Sequence, residues 1–356
     1  MAPSRRNKIP VAVLGATGMV GQRLALLLSD HPWFELVELT ASTRSAGHRY
    51  ADVVPWRLER PLPGAIGALT VRETSVADVR APLVFSALDA SVAREIERPL
   101  AAAGHLVVSN ASAHRMDDDV PLVVPEVNPD HLGLLGAQQR GGDGGLVTNP
   151  NCSTIGLVLG LAPLHRAAGV RRVVLSTLQA ASGAGYPGVS SIDLVDNVVP
   201  GIPGEEEKIE AEPRKIFGSL DDSGAGGVIE AGIEVSSHTH RVPVIDGHLM
   251  AISVETDEGL SVARATELMA SFRGEPQERG LPSAPSSLIE VVSAPDRPQP
   301  RLDRDAGGGM SVTVGRLRPC PVLGLRFELL SHNTWRGAAG GTVLIAETLV
   351  ARGCLP

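Results

Sequence analysis

Cys152 stands in the run Thr148-Asn149-Pro150-Asn151-Cys152-Ser153-Thr154, directly ahead of an apolar stretch over residues 155–161. Pro150 disfavours helix for the residue before it, and the stretch after Cys152 is long enough for a helix. The sequence therefore places Cys152 at or near a helix N-terminus. Unpaired N–H groups and the positive end of the helix dipole favour a thiolate there, which is the nucleophilic form of cysteine. Asn151 adds an amide donor beside it, and the hydroxyls of Ser153 and Thr154 can satisfy the amides of the first turn. A lone cysteine is often a small buried apolar residue. The polar neighbours and the turn chemistry point instead to a working nucleophile.

Such a nucleophile needs a proton partner. Residues 241–248, Arg-Val-Pro-Val-Ile-Asp-Gly-His, end in His248, which is expected to start a strand after a turn. An unperturbed imidazole pKa of about 6.5 suits proton exchange with a thiol or thiohemiacetal. The chain has ten histidines, so composition alone does not single this one out. His238 and His240 alternate on what reads as a strand, but no third ligand accompanies them, and no metal site is expected.

A second constellation is Gly15-Ala16-Thr17-Gly18-Met19-Val20-Gly21, between a strand and a helix. Glycines let the backbone approach a pyrophosphate, and the helix N-terminus stabilises its charge. The spacing is wider than the usual G-x-G-x-x-G. The end of the second strand, residues 40–47, has no carboxylate for a ribose 2′-hydroxyl but carries Ser42, Arg44 and Ser45. That set would hold a 2′-phosphate, so NADP is expected over NAD. A cysteine nucleophile beside a nicotinamide suggests oxidation or reduction of an aldehyde through a thioester.

The elements that position these residues read as strands at 9–14, 34–41, 83–88 and 106–110, with helices at 22–29 and 91–103. Strands alternating with helices imply βαβ units and a parallel sheet. Later strand runs, 172–177, 249–255, 311–317 and 322–330, have fewer helices between them. The second half is therefore expected to be α+β with a partly antiparallel sheet. Loops rich in Gly, Pro and Asp are expected at 141–145, 221–227, 273–287 and 294–309. Residues 340–352 have helical periodicity and could pack back on the first half. The expected fold class is α/β: an N-terminal Rossmann-type parallel-sheet domain plus an α+β catalytic and dimerisation domain with a mixed sheet. The expected boundaries are 1–151 for the NADP-binding domain, with a returning helix at about 334–356, and 152–333 for the catalytic domain.

Composition sets the outer limits. The 356 residues suggest two domains or one large one. Aromatics are only 3%, so the core must be built from Val, Leu, Ile and Ala, which suits a sheet covered on both faces. The net charge of −8, without a basic block, argues against nucleic acid. Three cysteines without metal spacing indicate a reducing compartment. No apolar stretch reaches the length of a membrane span, and residues 1–10 are basic without a signal-peptide apolar region. A soluble cytoplasmic protein is expected.

The chain resembles the aspartate-semialdehyde dehydrogenases, in the branch found in archaea and fungi, over nearly its whole length. The motifs that carry the resemblance are residues 15–21, 109–116 (Ser-Asn-Ala-Ser-Ala-His-Arg-Met), 124–129 (Val-Pro-Glu-Val-Asn-Pro) and 149–154. They continue with 179–185 (Gln-Ala-Ala-Ser-Gly-Ala-Gly), 205–208 (Glu-Glu-Glu-Lys), 241–248 and 332–339 (His-Asn-Thr-Trp-Arg-Gly-Ala-Ala). The resemblance implies Cys152 as nucleophile, His248 as acid–base residue and Gln179 beside the acyl-enzyme. It implies Arg241 at the substrate α-carboxylate, Glu205 at its amino group, and Arg115 with Lys208 at phosphate, with Asn151 also among the substrate contacts. Asn333 would meet the nicotinamide amide, with Ser182 and Gly183 among the cofactor contacts. Arginine's fork matches a carboxylate and phosphate needs cations, so these types fit their tasks.

The implied reaction is NADPH-dependent reductive dephosphorylation of L-4-aspartyl phosphate, reversible, on the route to lysine, methionine and threonine. A homodimer or homotetramer and small-molecule substrates are implied, with neither nucleic acid nor membrane as partner. His238-Thr239-His240 stands where the family often has Cys-Asn before the arginine. A sister enzyme, malonyl-CoA reductase, shares a Thr-His-Arg there but lacks the Glu-Glu-x-Lys pattern. Malonyl-CoA or another acyl reductase is thus one alternative, and a non-catalytic NADP-binding regulatory protein is another.

Overall fold

In the β-strands of the first half, alternate residues bury into two different apolar clusters. Val11 and Val13 join one and Ala12 and Leu14 the other; Leu83 and Phe85 separate from Val84, and Leu106 and Val108 from Val107. Side chains alternate across a strand, so this split means that both faces of the sheet are covered. The computed structural model describes residues 7–138, 144–221 and 226–355. Positions 1–6 of the basic start, 141–143 of the first glycine-rich loop and 222–225 of the second lie outside the described residues.

The first sheet contains β1 (Ile9–Leu14), β2 (Phe34–Ala41), β3 (Val71–Glu73), β4 (Leu83–Ser86), β5 (Leu106–Ser109) and β6 (Gly145–Thr148). Its order is β3-β2-β1-β4-β5-β6 and every pairing is parallel. The order reverses between β1 and β4, and in such sheets ligands bind beyond the carboxyl ends at that point. The helix after β1 is Met19–Leu28, three residues earlier than its periodicity predicts, so Met19, Val20 and Gly21 form its first turn. The helix Gly340–Ala351 sends Val343, Ile345, Ala346 and Leu349 into the same cluster as Val11 and Phe85. It therefore covers one face of the first sheet.

The second half has β7 (Val170–Gln179), β8 (Val199–Pro200), a two-stranded ribbon of β9 (Ser219–Leu220) and β10 (Val228–Ile229), then β11 (Glu234–Arg241), β12 (His248–Thr256), β13 (Ile289–Val292), β14 (Val312–Cys320) and β15 (Gly324–Ser331). The large sheet runs β13-β14-β15-β12-β7-β11-β8 and mixes parallel with antiparallel pairs. The loops expected at 273–287 and 294–309 hold the short helices Glu275–Arg279 and Pro300–Asp303.

One face of the mixed sheet packs on the helix Cys152–Ala168, whose Ile155, Val158, Leu159 and Leu161 meet Leu175, Met250, Ile252 and Leu329 in one cluster. That helix is apolar on nearly every side, as a fully buried helix must be. Among the described residues the opposite face has no layer upon it: Val174 and Leu178 are exposed, with Ser236, His238 and Ala251 beside them.

Candidate active site

Cys152 is the first residue of its helix, and Asn151 is the N-cap. Asn151 Oδ1 accepts from the amides of Ser153 and Thr154 at 2.9 and 3.3 Å, while its Nδ2 donates to both oxygens of Glu205. Here the sequence reading is corrected. The first-turn amides are satisfied by Asn151 rather than by Ser153 and Thr154, whose own hydroxyls are buried without partners. An N-cap oxygen reaches the second and third amides of a helix, whereas a hydroxyl inside the first turn does not.

The helix Glu205–Ile216 faces this turn with residues spaced 3, 4 and 3 apart. Glu205 accepts from Asn151 and, at 3.0 Å, from Lys208 Nζ. Glu212 accepts from Arg115 Nη1 at 2.9 Å and from the Asn151 amide at 2.7 Å. Lys215 Nζ donates to the carbonyls of Arg115, Asp117 and Val120 at 2.8, 2.6 and 2.8 Å. Burial pushes the Lys215 ammonium down to about 8. Glu212 and Lys215 escape the sequence reading, although that spacing on one helical face is a legible signal.

On the far side of the sulfur, β7 and β11 run parallel with Gln179 opposite Arg241. Both side chains are buried. Arg241 Nη1 donates to the Ala180 carbonyl at 2.7 Å, and Gln179 Nε2 donates to Thr177 Oγ1 at 3.3 Å. His248 is the first residue of β12, as expected, and its Nε2 lies 3.3 Å from Cys152 Sγ. Asn333 Oδ1 accepts from the Gly247 amide and its Nδ2 donates to Ser182 Oγ, each at 2.8 Å, so it ties the turn before His248 to the 181–184 segment. Of the expected set, Cys152, His248, Gln179, Arg241, Asn151, Glu205, Arg115 and Lys208 thus gather around one turn.

The electrostatics differ from the sequence expectation. Burial, with Glu205 nearby, pushes the Cys152 thiol up to about 12, against the opposing pull of Arg115, Arg241 and the Ser153 amide. Burial, then Arg241 and His332, push His248 down to about 3. The pair rests as thiol and neutral imidazole: desolvation outweighs the helix dipole, which acts with only a partial charge. Burial also opposes charge on Glu205, but Lys208, Asn151 and Arg115 hold its carboxylate below the usual range.

A cleft of about 1090 Å³ opens beyond the carboxyl ends of β1 and β4. Gly15, Thr17, Gly18, Met19 and Val20 line it, with Ser42, Arg44 and Ser45 along one wall; Ala16 and Gly21 lie beneath, not on the surface. Gly15 has φ +70°, and a Cβ there would stand 2.6 Å from the Ala87 carbonyl. The N-cap of the Met19–Leu28 helix offers no side-chain hydrogen bond, so its first amides face the cleft free. Exposed Arg44 has no ion-pair partner among the described residues. These features fit a dinucleotide with a 2′-phosphate. Glu73 and Asp89 also line the cleft, which the sequence reading did not anticipate. Ser182, Gly183 and Asn333 do not line it; the neighbouring Ala184, Gly185 and Tyr186 do. Tyr186 accepts from Arg57 Nη2 across the cleft at 3.2 Å.

Two family descriptions match the chain: semialdehyde dehydrogenase, NAD binding domain, over residues 10–135, and semialdehyde dehydrogenase, dimerisation domain, over 161–336. The chain is similar to an aspartate-semialdehyde dehydrogenase of Archaeoglobus fulgidus, at 51% identity covering 96% of this chain and 97% of the relative. Another from Cryptococcus neoformans is 46% identical over 99% of this chain and all of that one. Among solved structures, aspartate semialdehyde dehydrogenase with NADP from Candida albicans superposes with a TM-score of 0.91 at 42% identity, covering 97% of this chain and 99% of that one.

Proposed function

The chain belongs to the aspartate-semialdehyde dehydrogenase family, and from that premise we propose that the Cys152 turn is where its chemistry occurs. The reaction is the reversible reductive dephosphorylation of L-4-aspartyl phosphate to L-aspartate 4-semialdehyde and phosphate, through a cysteine thioester, in lysine, methionine and threonine biosynthesis. The observation that carries the residue-level reading is the 3.3 Å approach of Cys152 Sγ to His248 Nε2, with the charges of Glu205, Arg115 and Arg241 bearing on the same sulfur.

In this reading Cys152 attacks the acyl carbon and phosphate departs toward Arg115 and Lys208. Arg115 is held in its buried pair with Glu212, whereas Lys208, partly exposed, would exchange its pair with Glu205 for phosphate. Arg241 binds the α-carboxylate and Glu205, with Asn151, the ammonium. Gln179 steadies the acyl group, and the Cys152 amide, which the Asn151 cap does not engage, is the helix-start donor for the oxyanion. His248 donates toward the departing sulfur. Residues 15–21 with Ser42, Arg44 and Ser45 hold the dinucleotide, with Ser182, Gly183 and Asn333 toward its nicotinamide end. NADPH, when bound, supplies the hydride.

We take 1–151 with the helix returning at about 334–356 as the NADP-binding domain and 152–333 as the catalytic and dimerisation domain. The dimerisation-domain match and the uncovered face around Val174 and Leu178 support a homodimer formed through that face, whether or not dimers pair further. Among the described residues no helix is long and apolar enough to cross a membrane, and we assign the protein to the cytoplasm.

The test is NADPH formation from aspartate semialdehyde with phosphate varied, beside NADPH consumption with malonyl-CoA. Lys208→Ala should raise the KM for phosphate roughly 10- to 150-fold, the cost of one charge-assisted contact, and leave that for NADP nearly unchanged. Rapid use of malonyl-CoA without phosphate-dependent semialdehyde activity would overturn the assignment. A second measurement addresses the cofactor wall: kcat/KM is expected to favour NADPH over NADH, and Arg44→Ala to narrow that gap. Equal efficiency with both cofactors in the unaltered protein would contradict the reading of Ser42, Arg44 and Ser45.

A further inference from the structure

The His248 ring is held at both nitrogens. The Ala180 amide reaches Nδ1 at 3.0 Å, and Nε2 lies 3.3 Å from Cys152 Sγ. A backbone N–H can only donate, so Nδ1 must be the accepting nitrogen, and the one proton of the neutral ring belongs on Nε2. Protonating Nδ1 as well would set two donors face to face. The ring is fully buried. Gly183 closes over it: a Cβ there would stand 3.2 Å from Cε1 and 2.8 Å from Arg241 Nη1. The charged and titratable groups around the ring are Arg241, His332, Asp246 and the Cys152 thiol. Two of the three besides the thiol disfavour a second proton; Asp246 alone favours one.

We propose that the Ala180 amide fixes His248 as the neutral Nε2–H tautomer, which meets Cys152 as a hydrogen-bond donor, so that the thiol proton leaves on the phosphoryl group rather than on the imidazole. The proposal deepens the function given above and rests on its reading of Cys152 as nucleophile toward an acyl phosphate. In the acylation step the S–C bond forms and the C–O bond to the phosphoryl group breaks, its electron pair staying on the phosphate oxygen. The S–H proton passes to a phosphoryl oxygen, giving thioester and hydrogenphosphate with no oxidation or reduction. A phosphate monoester has a second pKa of about 6, so its oxygens are competent acceptors near neutral pH. In reverse, hydrogenphosphate attacks the thioester and returns its proton to sulfur. The Nε2–H stabilises negative charge on sulfur in both directions, and Ala180 is the positioning residue through its main chain.

The experiment is nitrogen NMR on the full protein labelled with [¹⁵N]histidine, the His248 signals being assigned by their loss in His248→Gln. Nδ1 is expected to read unprotonated and Nε2 protonated at pH values on both sides of 6.5, the ordinary imidazole value. An Nδ1–H tautomer, or a doubly protonated ring at neutral pH, would overturn the proposal. The kinetic arm follows acylation of Cys152 by intact mass, with acyl phosphate and no NADPH. Glutamine offers a non-titrating N–H donor near the position of Nε2, so His248→Gln should acylate at least about tenfold faster than His248→Ala, roughly one hydrogen bond. Any ionisation in the acylation rate of the unaltered protein should be that of the substrate's phosphoryl group, and should therefore persist unchanged in His248→Gln. Glutamine no better than alanine, with an ionisation in the unaltered protein that His248→Gln removes, would show the imidazole acting as a base. Absence of any acylation at Cys152 would instead remove the underlying functional reading, whereas the NMR arm needs no substrate.

Discussion

Cys152→Ala is expected to abolish turnover, by about 10⁴-fold or more, while NADP continues to bind. In the proposed mechanism the sulfur forms the covalent bond, and no other described cysteine can substitute: Cys320 lies on the β14–β15 hairpin and Cys354 beyond the last helix. The substitution removes one atom from a helix start whose cap is made by Asn151, so the fold should persist. The cofactor cleft is lined by other elements, and titration with NADP is therefore the control. Turnover within tenfold of the unaltered enzyme would sink covalent catalysis.

The second large effect concerns stability. Arg336 and Glu126 form a bidentate pair with distances of 2.8 and 2.5 Å, both side chains almost wholly buried. Gln277 Nε2 also donates to Glu126, at 3.3 Å. Removing one partner of such a pair leaves an uncompensated charge in the interior. Arg336→Met should therefore lower the unfolding free energy by about 3–5 kcal/mol. The double change Glu126→Leu with Arg336→Met should recover much of that loss, because no charge is then stranded. Urea denaturation of the two variants decides it, and a loss below about 1 kcal/mol for the single change would contradict the buried-pair account. Activity should suffer too. Arg336 lies in a short π-helical stretch, Trp335–Ala339, and Gly337 there lies so close to Cys152 that a Cβ would come within 2.7 Å of the cysteine Cβ.

That pair also shows what one sequence hides. Glu126 and Arg336 were each visible within a motif, yet 210 positions separate them and nothing local announces their union. The helix that Cys152 begins, the glycine turn and the strand that His248 begins were legible, because periodicity and turn chemistry act over a few residues. The cap was misread within three residues: Ser153, Thr154 and Asn151 are all capable of capping, and backbone geometry chose Asn151. The protonation states were not legible at all. They depend on how densely Cys152 and His248 are enclosed, and enclosure comes from elements remote in sequence. Glu212 and Lys215 lie between these extremes, announced by spacing but not by partner.

The pairing of β7 with β11 serves two surfaces at once. Gln179 and Arg241 point inward as register partners, and the next partners back, Leu178 and His240, point the other way, toward the open face. Inserting or deleting a single residue near the end of either strand would exchange the two sets, because side chains alternate with a period of two. Gln179 and Arg241 would then face the open side of the sheet, and Leu178 and His240 would face the interior. Length in these two strands is consequently a frozen quantity, while the side chains on either face stay free to vary. An enzyme built this way can change its open face by substitution but never by sliding a strand.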